Sequence, residues 1–142
     1  MSVNQNEKSI YQTTAINETG VAGVAYIEGS EGWKVNVSSP VSKEPGTNPE
    51  ELLALAYSTC LNATVETILK EQQQPKKSSV KVTIALIPET IGYHFNVTAK
   101  VFIESLSQPE IQEIVELADQ RCPISKLVKG SQTVTVMATT TP

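Results

Sequence analysis

At 142 residues, 39% of them apolar, the chain is sized for one domain, residues 1–142, that can bury a core without disulfides or metal. A net charge of -4, an isoelectric point near 5.0 and scattered lysines argue against nucleic acid and anionic membrane surfaces as partners. Residues 1–8 are polar, with no apolar core of a secretory leader, and no apolar run approaches the roughly 18 residues of a membrane span; the expected location is the cytoplasm, where two cysteines are reduced or transiently oxidised.

In chain order, apolar content predicts strands over residues 10–16 and 21–27, then a loop over 28–32. Trp33, Val35 and Val37 alternate with Lys34 and Asn36 and predict a third strand, followed by a loop over 40–48. A long helix starts at Asn48-Pro49-Glu50-Glu51, where Asn48 suits the N-cap, Pro49 suits N1 and Glu51 at N3 completes a capping box. Its apolar residues run through Leu52, Leu53, Leu55, Ala56, Cys60, Leu61, Val65, Ile68 and Leu69. That coverage is too wide for one stripe and predicts a helix buried on most sides. The segment 71–78, EQQQPKKS, has nothing to bury and reads as a solvated connection.

Two long strands follow, one with Val80, Val82, Ile84 and Leu86 on a single face, the other with Phe95, Val97, Ala99, Val101 and Ile103; residues 88–92 form the turn between them. A second helix starts at Ser107-Gln108-Pro109-Glu110 and carries Ile111, Ile114, Val115 and Ala118 on one stripe, with Cys122 on the same face at its end. Pro123 cannot extend that helix but can open a short new one. Val134 and Val136 predict the last strand. The fold class is α+β: mostly antiparallel sheet, a long buried central helix and a second helix.

Chemistry centres on the cysteines. Taken alone, Cys60 in an apolar helix is more often packing than chemistry. The two cysteines, 62 residues apart, lack zinc-site spacing, and His94, the only histidine, falls on the polar face of a strand. Cys122 differs, because Arg121 beside it and a helix start at Pro123 both favour thiolate over thiol. A buried-helix cysteine and a junction cysteine suit a peroxidatic and resolving pair, although spacing alone does not show that they meet.

Two motifs resemble the organic hydroperoxide resistance and osmotically induced (OsmC/Ohr) family. Gly46-Thr47-Asn48-Pro49-Glu50-Glu51-Leu52 followed by Ala54, Ala56-Tyr57 and Cys60 is similar to the family's first cysteine signature. Ala118-Asp119-Gln120-Arg121-Cys122-Pro123-Ile124-Ser125-Lys126 resembles its second. The resemblance implies an intertwined homodimer with sites at the subunit interface, Cys60 as the peroxidatic thiolate, Cys122 as the resolving thiol and Glu50 as the site carboxylate. It also implies an organic hydroperoxide substrate, a dithiol reductant of the lipoyl-carrier kind, and neither metal nor organic cofactor. The chain departs from the family in the turn Thr19-Gly20-Val21-Ala22-Gly23, where Val21 occupies the place of the family's arginine; the chain's one arginine is Arg121. Three accounts are open. Arg121 substitutes for the missing charge, the protein is a slower or specialised peroxidase, or it is a catalytically silent thiol protein acting as ligand binder or redox sensor.

Overall fold

The computed structural model describes residues 7–29 and 32–142. Most of the leader segment considered above (1–6) and the middle of the 28–32 loop lie outside the described residues. The chain forms two compact units, one ending at Asn48 and the other beginning at Pro49.

The first unit is a three-stranded antiparallel sheet of β1 (Ala15–Asn17), β2 (Gly23–Ile27) and β3 (Lys34–Val37), in that spatial order. The first two strands are shorter than expected. Ile10 and Tyr11, which read as strand, are exposed and pair with nothing in the sheet, whose register with β2 begins at Ala15. Residues 18–22 form a turn instead of extending β2. Asn17 Oδ1 accepts from the backbone N–H groups of Thr19 (3.2 Å) and Gly20 (2.7 Å), and Gly20 adopts φ +68°, which an L side chain resists. After β3 the backbone folds back on itself. A Cβ on Gly46 would sit 2.9 Å from Ser38 N and 3.0 Å from Val37 C, so only glycine permits the Ser38 N–H to reach Thr47 O at 2.8 Å.

The second unit packs α1 (Pro49–Glu71) and α2 (Gln108–Arg121) on one face of a sheet made of β4 (Ser78–Pro88), β5 (Tyr93–Ile103) and β6 (Val134–Ala138). The predicted alternation decides that face. Val82 pairs with Ala99 and Ala99 with Val136, so period-two residues of all three strands point the same way. β4 and β5 form an antiparallel hairpin, whereas β6 returns parallel to β5, because α2 and the short α3 (Pro123–Leu127) intervene as a crossover. At the start of α2, the Glu110 carboxylate accepts from both the backbone N–H (2.7 Å) and the hydroxyl (2.8 Å) of Ser107, which hold its carboxyl below the usual range.

Two expectations about α1 need correction. Its buried residues are Tyr57, Leu61, Val65, Ile68 and Leu69, a single stripe against the sheet and α2; Leu55 stays 60% exposed and Ala56 is exposed too. Within one chain, the helix is therefore not buried on most sides. By length and composition it is also long and apolar enough to cross a membrane, which counting uninterrupted apolar runs overlooked because Ser58, Thr59, Asn62 and Thr64 interrupt them. Its buried stripe nonetheless forms the centre of this unit's core, where each fully buried Leu or Ile is stabilised by about 1.5–3 kcal/mol relative to exposure.

Candidate functional site

Cys60 stands in the middle of α1, half-buried; Cys122 stands between α2 and α3 with no solvent exposure. The local sequence dictates the second position. Proline restricts the residue before it to extended backbone, and Cys122 has φ -62° and ψ 123°. So α2 ends at Arg121, with the Cys122 N–H still donating to Ala118 O at 2.8 Å, and α3 restarts at Pro123 in a new direction. That change of direction turns the junction toward α1. Cys60 packs against the core cluster that contains Cys122, close enough for the Cys122 thiol and the Ile124 N–H to act on its charge; both cysteines are free.

The electrostatics of Cys60 follow from these neighbours. Burial pushes its thiol pKa up, the Ile124 N–H pulls it down, and the Cys122 thiol pushes it up again. Among the described residues no cation enters this balance.

Arg121 is placed elsewhere. Its guanidinium grips Glu71 in a bidentate pair, Nη1 to Oε2 at 2.7 Å and Nη2 to Oε1 at 2.9 Å, and holds the Glu71 carboxyl below its usual range. Glu71 lies eleven residues beyond Cys60 on α1, about 16 Å along the axis. The candidate role of Arg121 as charge substitute at the cysteines is therefore corrected: a carboxylate at the helix end takes the charge. The Ile124 N–H, in the first turn of α3, favours the Cys60 thiolate.

Glu50 sits in the first turn of α1, about 15 Å along the axis from Cys60, too far to touch it within one chain. Its Oε2 is shut off from solvent and has no hydrogen-bond partner among the described residues. A buried carboxylate oxygen without a donor is costly, so this atom marks a place where a donor fits. Val21 is 50% exposed in its turn, at the edge of a hollow of about 500 Å³ within the first unit that Gly23, Val37 and Ser38 also line. His94 lies on β5 with Nδ1 3.2 Å from Glu89 Oε2 in the hairpin, away from the cysteines in sequence and on the strand face opposite Phe95 and Val97. Among the described residues no cluster of three His, Cys, Asp or Glu is disposed to hold a metal ion.

Sequence reasoning missed one contact. The Tyr57 hydroxyl and Ser125 Oγ are 2.9 Å apart and buried. Burial raises the Tyr57 pKa, partly offset by Ser125, and Asp119 and both thiols lie near enough to raise it further. Tyr57 and Ser125 are among the residues lining a cavity of about 460 Å³, with Lys126, Lys129 and Val134 also on its walls. The available signal was spacing: Tyr57 precedes Cys60 by three residues, and Ser125 follows Cys122 by three.

Comparison with known proteins places this geometry. A family described as OsmC-like protein matches residues 42–137. The organic hydroperoxide resistance protein-like 2 of Staphylococcus epidermidis is 33% identical over 87% of this chain and 91% of its own. Among solved structures, a suspected redox protein of Lactobacillus casei superposes with a TM-score of 0.88 at 40% identity, over 96% of this chain and 94% of that one. The organic hydroperoxide resistance protein OhrB of Bacillus subtilis superposes with a TM-score of 0.83 at 25% identity, over 92% and 100%.

Proposed function

The chain belongs to the OsmC-like family, and from that membership, which supports a role in peroxide resistance or redox chemistry, we propose that it is a cysteine-based peroxidase reducing organic hydroperoxides. The observation that carries the proposal is the packing of two free cysteines in one core, Cys60 half-buried on α1 and Cys122 sealed from solvent at the turn after α2. The Cys60 thiolate attacks the outer peroxide oxygen, the O–O bond breaks, and the alkoxide takes up a proton and leaves as alcohol. Cys60 sulfenic acid then condenses with the Cys122 thiol; the S–S bond forms, the S–O bond breaks, and water leaves. A small dithiol, of the kind carried on lipoyl proteins, restores both thiols by exchange. The chemistry runs in the cytoplasm, on residues of this chain, with no metal or organic cofactor.

We assign the functional unit as a homodimer. The exposed apolar side of α1 around Leu55 and the unpartnered Glu50 oxygen both suit a surface completed by a second copy. A second reading, a silent binder or thiol sensor, is favoured by specific observations: Val21 in place of arginine, Arg121 held by Glu71, and a Cys60 pKa raised by burial. Turnover of an alkyl hydroperoxide with dihydrolipoamide separates the two. The peroxidase consumes peroxide repeatedly and loses all turnover in Cys60→Ser. A protein that shows no turnover, and whose Cys60 is not oxidised by the peroxide, is the binder.

A further inference from the structure

Two pairs of side chains join α1 to the junction that follows α2, in matched register. Cys60 packs against the core beside Cys122; three residues back on α1 and three residues on past the junction, the Tyr57 hydroxyl meets Ser125 Oγ. On a helix, residues three apart share a face, so Tyr57 and Cys60 present one hydroxyl and one thiol side by side. Across from them, Ser125 lies on the first turn of α3, whose Lys126 N–H bonds back to Cys122 O at 2.9 Å, making Cys122 and Ser125 parts of one rigid turn. The hydroxyl contact is buried, with Tyr57 1% and Ser125 4% exposed, so losing either oxygen leaves the other without its partner.

We propose that Tyr57 and Ser125 are positioning residues whose hydrogen bond holds the Cys122 turn against α1, so that Cys122 closes readily onto Cys60. The proposal rests on the thiol-redox part of the function proposed above and adds the residues that govern the closing step. Disulfide formation requires the two sulfurs to approach with a restricted geometry. A turn already fixed by the hydroxyl pair loses little freedom on closure, whereas a loose turn must be ordered when the bond forms. Neither hydroxyl touches the reacting peroxide in this account; both act through the placement of Cys122.

The test measures the thiol–disulfide equilibrium of the intact protein in mixtures of reduced and oxidised dithiothreitol. In this exchange, two protein thiols become one disulfide while oxidised dithiothreitol takes up the two electrons and two protons. Tyr57→Phe keeps the ring and removes one oxygen; Ser125→Ala removes the other. Each is expected to lower the equilibrium constant for the Cys60–Cys122 disulfide about tenfold, a shift of about 30 mV toward a more oxidising potential. Because the hydroxyls act only through each other, the double variant is expected to lose no more than the more affected single. Ser125→Ala is the smaller change and decides the matter should Tyr57→Phe fold poorly. A potential unchanged in a natively melting Ser125→Ala overturns the proposal, as does a more reducing potential or losses that add in the double variant. Oxidation of the wild type by an alkyl hydroperoxide is measured separately. Its absence removes the peroxidase reading but leaves the dithiothreitol equilibrium, and so this proposal, to be judged alone.

Discussion

Oxidation of the cysteine pair is expected to stabilise the fold strongly, and the chain itself sets the magnitude. Cys60 and Cys122 are 62 residues apart. Closing a loop of that length removes about 14 cal/mol/K of entropy from the unfolded chain, or about 4 kcal/mol at 25 °C. Strain in the folded state subtracts from this figure, so about 4 kcal/mol is its upper value. By linkage, the same 4 kcal/mol means that folding favours this disulfide roughly a thousandfold over its formation in the unfolded chain. The assay is guanidinium unfolding of fully reduced protein and of protein oxidised with the Cys60–Cys122 bond verified by peptide mapping, both at one protein concentration. With a denaturant slope of about 4 kcal/mol/M, the oxidised midpoint is expected about 1 M higher. An oxidised midpoint equal to or below the reduced one refutes the reasoning, because it shows that the native geometry does not accept the bond.

The electrostatic account of Cys60 predicts that its alkylation by iodoacetamide rises with pH through a midpoint above the ordinary thiol range near 8.5, because burial favours the protonated form. Arg121→Ala should leave that midpoint unmoved, since the guanidinium is held by Glu71, and Cys122→Ala should lower it by removing a group that raises it; a midpoint that climbs in Arg121→Ala counts against the assignment. Val21→Arg is expected to speed oxidation of Cys60 by an alkyl hydroperoxide several-fold, with a gain smaller than the pKa shift alone implies because nucleophilicity falls with pKa; stopped-flow rates equal to wild type speak against a missing cation as the limit. Leu55→Glu, which places a charge on the exposed apolar side of α1, is expected to give a monomer mass by light scattering where the wild type gives a dimer; a wild-type monomer, or a dimer that survives the substitution, removes that side of α1 as the interface.

Several features of this protein were settled by residues close together in sequence. The start of α1 behind Asn48, the start of α2 at Ser107 with Glu110 reaching back, and the break at Cys122-Pro123 each depend on groups within four residues of one another. The strand faces followed from a period of two, and that pattern alone chose which side of β4, β5 and β6 became core. What the sequence left open was every pairing across long separations. That β6 runs parallel to β5 depends on the crossover through α2 and α3, not on anything in Val134–Ala138. The packing of Cys60 beside Cys122, and of Tyr57 against Ser125, depends on how α1 packs against the turn after α2. Arg121 shows the difference most clearly. In sequence it borders Cys122, but a long flexible cation goes to whichever carboxylate the packed helices present, and that is Glu71. Capping, turns and alternation are decided by atoms a few bonds apart, whereas the partner of a long side chain is decided only when the helices that carry both ends have docked.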